Sequence, residues 1–383
     1  MAFNMLPPMW GNVAEPAAPT FETTEWQLPG AVGDGGGSDA NTWTNPNNVL
    51  TESDATLATR SFASGNQARF YVKDFNFSIP AGAIPYAYDI QIRWRSTRID
   101  SDMFAPRMVN NVSEFITGLG TSPPAAPDPS TSLRTDTLQM STGRITSWFI
   151  DNASAIAHLN ASDQAEVRLS FGQPSDTGTS TISIAWVKMR VRYLMPAVGN
   201  TLEWQSNLVG TGANISAGGT AWTNPGNITA DDSTNANCDI GKGGTTNILR
   251  GTNPGHTVPA SAVLVGLLLE ADVGNLSFNT CDFELVGFRD GTSTFNFIAS
   301  ASMQDEVEEW AGSFSGSYPV TQFTGLLRMG TVDPTFIANF TVAEVNSSGF
   351  GADMRWSEVS GFLNNPANAL VDYYRTRVLY SRV

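Results

Sequence analysis

The chain has 383 residues, with 36 acidic against 21 basic side chains and a formal net charge of −15. Such an acidic surface excludes nucleic-acid phosphate and anionic membrane as partners, since both would repel it. Charge is sparse, at 15% of residues, and Gly, Ser, Thr, Asn and Pro are frequent, which predicts short strands punctuated by turns and no long helix.

Residues 1–23 form an arm. Phe3, Met5, Leu6, Met9 and Trp10 are a short apolar burst broken by Pro7 and Pro8, and a Pro/Ala stretch at 15–19 follows. The pattern reads as an anchor on a stiff linker, and these five side chains are the candidate partner-docking residues. A groove on a neighbouring subunit and the arm's own domain suit it about equally as a seat. With no basic residue before Arg60 and no long apolar run, neither a secretory leader nor a membrane-inserted helix is expected, which favours assembly in a cytoplasm.

A first β-sandwich domain is predicted over 24–196. Strands are expected at 70–79, where Phe70, Val72, Phe75 and Phe77 nearly alternate, at Ile90, Ile92 and Trp94, and at 184–193. Four prolines make 121–132 a surface loop, and a helical turn or two is expected within 145–159. A second sandwich is predicted over 200–383, with a strand buried on both faces at 263–269 and further strands at 278–288, 294–299, 325–329 and 336–342. Each copy is long enough for a core of its own.

The two domains are copies. Trp43-Thr44-Asn45-Pro46-Asn47-Asn48-Val49 returns 179 positions later as Trp222-Thr223-Asn224-Pro225-Gly226-Asn227-Ile228. Glu25-Trp26-Gln27 returns as Glu203-Trp204-Gln205, Ile79-Pro80-Ala81 as Val258-Pro259-Ala260, and Asn160-Ala161-Ser162 as Asn346-Ser347-Ser348. The closing strand 184–193 returns as 371–380. Trp26 and Trp43 recur as Trp204 and Trp222, which fits a corner-locking role better than a single sugar-binding platform.

Chemistry-bearing residues are few. The two histidines, His158 and His256, occupy non-equivalent places without metal-ligand spacing. No nucleophile elbow, phosphate loop or Cys-x-x-Cys occurs, so no catalytic residue, cofactor or metal is expected. Asp231-Asp232 and the acidic run 305–309 are patterns that calcium uses, but they read first as solvated loops. Cys238 and Cys281 both lie in the second copy; a disulfide and two packed thiols both stay open, the thiols favoured.

The composite pattern resembles a domain recurring in structural proteins of tailed bacteriophages. The matching residues are the Trp43 and Trp222 openings with Asp54 and Asp232, the segment Phe75-Asn76-Phe77-Ser78-Ile79-Pro80-Ala81-Gly82-Ala83, the element from Asn346 to Phe350-Gly351, and the closing strand Val371-Asp372-Tyr373-Tyr374-Arg375 to Tyr380. The N-x-x-x-F-G element is weaker in the first copy, where Asp163 and Gln164 stand. The resemblance implies an all-β protein of two tandem jelly-roll-like sandwiches with an extended N-terminal arm. It also implies a non-enzymatic virion role, as a fibre or other tail or neck appendage, with capsid decoration as the close alternative. The implied partners are other virion proteins (tail, neck or capsid subunits) and further copies of the chain. A carbohydrate-binding adhesin is the rival from another class, and a host-surface glycan is the partner it would add.

Overall fold

A computed structural model describes residues 18–32, 43–63, 67–97, 102–110, 115–116, 132–140, 156–157, 159–161, 165–172, 179–241, 243–275, 280–302, 323–332, 334–360 and 367–382. In the first half the strands are β1 (Thr20–Thr23), β2 (Ala31–Val32), β3 (Ala58–Ala63), β4 (Gln67–Lys73), β5 (Ile84–Ser96), β6 (Asp102–Asn110), β7 (Phe115–Ile116), β8 (Arg134–Met140), β9 (Ala165–Gly172) and β10 (Thr179–Met195). They form two antiparallel sheets, β1-β10-β5-β8 with β3 also on β10, and β2-β4-β9-β6-β7. Strands β3 to β10 thus lie as β3-β10-β5-β8 over β4-β9-β6-β7, the double-sheet wrapping of a jelly roll.

The second half repeats this strand for strand. It contains β11 (Thr201–Leu208), β12 (Thr211–Ile215), β13 (Ala236–Ile240), β14 (Ile248–Thr252), β15 (Val263–Asn275), β16 (Thr280–Asp290), β17 (Thr294–Ser302), β18 (Phe323–Thr331), β19 (Phe350–Ser360) and β20 (Ala367–Arg382). Their sheets are β11-β20-β15-β18 with β13 on β20, and β12-β14-β19-β16-β17. The chain is therefore all-β, two jelly rolls in tandem.

The shared opening motif makes the same corner twice. Asn45 and Asn224 take left-handed backbones, φ 54° and 52°, directly before Pro46 and Pro225, which start short 3-10 turns. Proline disfavours the right-handed helical region for the residue before it, and asparagine enters the left-handed region more readily than most, so this pair suits the corner. Asn48 and Asn227 donate to the carbonyls of Leu57 and Asn235. Trp43 and Trp222 donate their indole N–H to the carbonyls of Arg69 and Asn247, at 2.7 and 2.9 Å, and pack into their cores. Gly351 of the N-x-x-x-F-G element is required by crowding, since a Cβ there would sit 1.9 Å from the Gly251 carbonyl oxygen.

Three expectations are corrected. The strand expected at 70–79 stops at Lys73, because Asp74 and Asn76 adopt positive φ (66° and 50°). Phe75, Phe77 and Ile79 are nonetheless buried, so their alternation records a loop pressed onto the core. The strand expected at 336–342 is instead two short helices, α1 (Pro334–Ile337) and α2 (Val342–Val345), the latter held by a capping box between Thr341 and Glu344. Finally, Trp26 and Trp204 are not equivalent. Gln27 bridges Met189 and Trp26 lies under Arg190, whereas Trp204 stands opposite Leu379 two residues out of step. The expected helical turn within 145–159 appears at its end, where residues 156–157 and 159–160 are helical; residues 141–155 lie outside the described residues, as does most of the proline loop.

Each half has its own core, and a third apolar cluster joins them. Ile84 and Leu194 of the first half meet Val265, Leu268, Val332 and Leu379 of the second, with Tyr86, Leu202 and Trp204 packed at the margin. A β-bulge at the same place in both copies, after the first two residue pairs of β5 with β10 and of β15 with β20, leaves Tyr86 and Val265 as the extra residues. The bulges turn these side chains toward the joint. Leu267 and Leu269 face the sandwich core while Leu268 faces the joint, so this strand is apolar on both faces as expected.

Candidate interaction groove

The charged residues of the sheets are largely committed internally. Asp89, fully buried on β5, accepts from Arg190 at 2.7 Å and Arg192 at 2.8 Å. Glu270 on β15 holds Arg375 and Arg377, both at 2.7 Å. Asp353 on β19 takes a two-pronged contact from Arg250 at 2.7 and 2.7 Å and a hydroxyl from Thr294 at 3.0 Å, with Arg289 at 3.8 Å. These three acids are the buried hubs of ion-pair networks, and a hub enclosed by its own arginines presents no carboxylate to a substrate.

The other candidate polar groups also have structural explanations. His256 is buried, its Nε2 at 2.9 Å from the Thr376 hydroxyl and its ring edge-on to Phe350. Burial pulls its pKa down to about 4, which keeps it neutral. Cys238 is a free thiol inside the core, pushed up to about 11 by burial and then by Asp239, and so is unreactive. The side chain of Cys281 lies outside the described residues. Asp231 pairs with Arg375 at 3.5 Å, and Asp232 closes a turn by accepting from the Thr234 N–H. Among the described residues no group of three or more His, Cys, Asp or Glu is arranged to hold a metal ion. His158 and the run 305–309 lie outside them. Asp272 is pushed up to about 6, by burial and then by Asp372 and Asp231.

Of the tryptophans, Trp43, Trp94, Trp186, Trp222 and Trp356 are buried. Trp356 meets Trp222 edge-on at 5.0 Å. None of these five forms an open stacking platform for a sugar.

What remains is an apolar groove of about 430 Å³. Its floor is the start of β15, from Ala262 to Val265, with Val332 beside it, and one wall is α1, α2 and the Phe340 turn between them. Phe340 is fixed by ring contacts with Phe295 at 5.0 Å and Phe336 at 5.7 Å. The opposite rim is Ala18 and Pro19 with Phe21 of β1. The expected boundary of the arm at residue 23 is corrected, because 20–23 pair with β10 as a strand of the first sandwich and the arm ends before Thr20. Phe21 meets Tyr86 edge-on at 5.9 Å and is still 44% exposed. Among the described residues, no charged side chain lines the groove. Five sequence candidates for docking, Phe3, Met5, Leu6, Met9 and Trp10, lie outside the described residues, but the chain they belong to enters at this rim. The groove wall itself was missed by periodicity. The signals for it were Pro334 as a helix start and the Thr341-x-x-Glu344 capping pattern.

No family model and no curated protein sequence matches this chain. Among solved structures it is similar to a protein in complex with neoagarooctaose (9% identity, TM-score 0.21), covering 85% of this chain but only 34% of that one. It is also similar to tandem CBM51 modules of a family 98 glycoside hydrolase from Streptococcus pneumoniae SP3-BS71 (7% identity, TM-score 0.20; 84% of this chain and 83% of that one). A third similarity is to the triple jelly roll protein of an archaeal virus turret (10% identity, TM-score 0.17; 86% and 60%). The chain thus spans about a third of the length of the first of these.

Proposed function

We propose that this chain is a non-enzymatic structural protein of a tailed-phage particle, a fibre or other tail or neck appendage component tied to its neighbours through the N-terminal arm. The observation that carries the reading is the strand-for-strand duplication of one jelly roll, joined by a buried apolar contact between the copies. A duplicated sandwich with a sealed joint is a spacer: it sets a fixed distance between what is attached at its two ends. The commitment of the buried acids to arginines within their own sheets agrees with this, because it rigidifies the block and leaves them no part in chemistry. The sequence resemblance supplies the virion setting, and capsid decoration remains the alternative place on the particle.

The test is quantitative mass spectrometry of purified, salt-washed particles. The reading expects the chain at a fixed whole-number ratio to known tail or capsid subunits. Its absence from washed particles would overturn the reading, and turnover of a glycan or peptide by the purified chain would return it to the enzymes.

A further inference from the structure

We propose that, in the isolated chain, the apolar groove is the seat of the chain's own residues 1–17, with Met9 and Trp10 as its principal occupants. This goes beyond the virion reading and does not rest on it.

The argument begins from where the arm ends. Ala18 and Pro19 already line the groove, so the preceding segment starts at its rim. Trp10 is eight residues from Ala18, a tether of at most about 29 Å when fully extended, and the sequence Gly11-Asn12 is of the type that favours a turn, as a return to the groove requires. A tether this short holds its apolar end at an effective concentration in the millimolar range, which a free partner must exceed to compete.

The chemistry matches as well. Residues 1–17 carry one charged side chain, Glu15, and the described residues that line the groove carry none. The wall facing the occupant is helical at α1 and α2, so it offers no free strand edge and selects side chains. Phe21, an aromatic left 44% exposed on the rim, is completed as a surface when a second apolar side chain lies against it. A cavity of about 430 Å³ falls within the range of sites that enclose a ligand-sized apolar group.

The experiment is photo-crosslinking of the full-length chain with p-benzoylphenylalanine in place of Trp10, using an equal mixture of ordinary and nitrogen-15-labelled protein. Crosslinks from position 10 into residues 332–342 are expected, with both ends in the same isotope. Ala338→Arg at the exposed mouth of the groove, and Phe21→Ser on the opposite rim, are each expected to cut that yield several-fold without changing the circular dichroism spectrum. Mixed-isotope crosslinks would give the groove to a second copy and overturn the proposal. So would the absence of crosslinks into 332–342, or a yield unchanged in both variants.

Discussion

The side-chain amide of Asn346 clasps the backbone of Val258, accepting from its N–H at 2.9 Å and donating to its carbonyl at 2.8 Å. Asn160 makes the same two bonds to Ile79, both at 2.8 Å. In each copy the clasp ties the loop before β19 or β9 to the segment leading into β15 or β5, and the next turn is closed identically, by Ala83 to Pro80 and Ala262 to Pro259. The side chains of Val258 and Ile79 are buried, so water is poorly placed to replace a lost partner. Asn346→Ala is expected to cost about 2–3 kcal/mol, and Asn160→Ala a similar amount. Denaturant titration checks both, and losses under about 0.5 kcal/mol would show that the clasps hold nothing.

The joint between the copies predicts coupled unfolding. Leu268 and Leu379 are fully buried there, and Leu268→Ala is expected to cost about 2–4 kcal/mol by leaving a cavity. Leu268→Asp should go further and uncouple the halves. Calorimetry is expected to show one transition in the native chain and two in Leu268→Asp; two in the native chain would mean that the joint does not couple them.

The repeat and the all-β class were legible because they rest on local chemistry: the Asn-Pro corners, the alternating strands, and the Asn160 and Asn346 landmarks each act close to where they stand in the chain. Apolar alternation was a poorer guide where tertiary burial imitates it, as with Phe75 and Phe77, which are buried from a loop whose backbone has left the strand region. Trp26 misled for a related reason. Identity of three letters suggested equivalence, but strand register is set by pairing, and the β1–β10 pairing slips between Thr23 and Gln27. The groove was hidden because its parts come from positions 18–21, 262–265 and 332–342, and no single window contains them.

His256 predicts an acid limb in stability. Its folded-state pKa of about 4 lies below the ordinary 6.5, so the unfolded chain binds the proton more readily. Stability is then full above about pH 6.5 and falls as the pH drops toward 4, by up to about 1.4 kcal/mol for each unit of the shift. Asp272 acts in the opposite sense. With its folded pKa raised to about 6, it destabilises at neutral pH and is relieved as it protonates below that value. Asp272→Asn is therefore expected to stabilise the chain at pH 7.5, by on the order of 1 kcal/mol after solvent screening, and to lose that advantage toward pH 4. Urea titrations of the native chain, His256→Gln and Asp272→Asn at pH 7.5 and 5 separate the two. An equal acid slope in His256→Gln would contradict the assignment.

The buried hubs should behave unlike the surface pairs. Asp353→Ala strands Arg250 without its buried partner and is expected to cost about 3–5 kcal/mol. Asp54 holds Arg93 at 2.6 Å on an exposed face, and Asp54→Ala is expected to leave the melting temperature within error. Equal effects of the two substitutions would refute the distinction.

The most direct measurement of the central claim is a reconstruction of the intact particle at a resolution that resolves strands. It is expected to show this chain as symmetry-related copies of two stacked jelly rolls, the corners at Trp43 and Trp222 superposing and the joint around Leu268 and Leu379 closed. A particle in which every appendage and capsid density is filled by other chains would contradict the account.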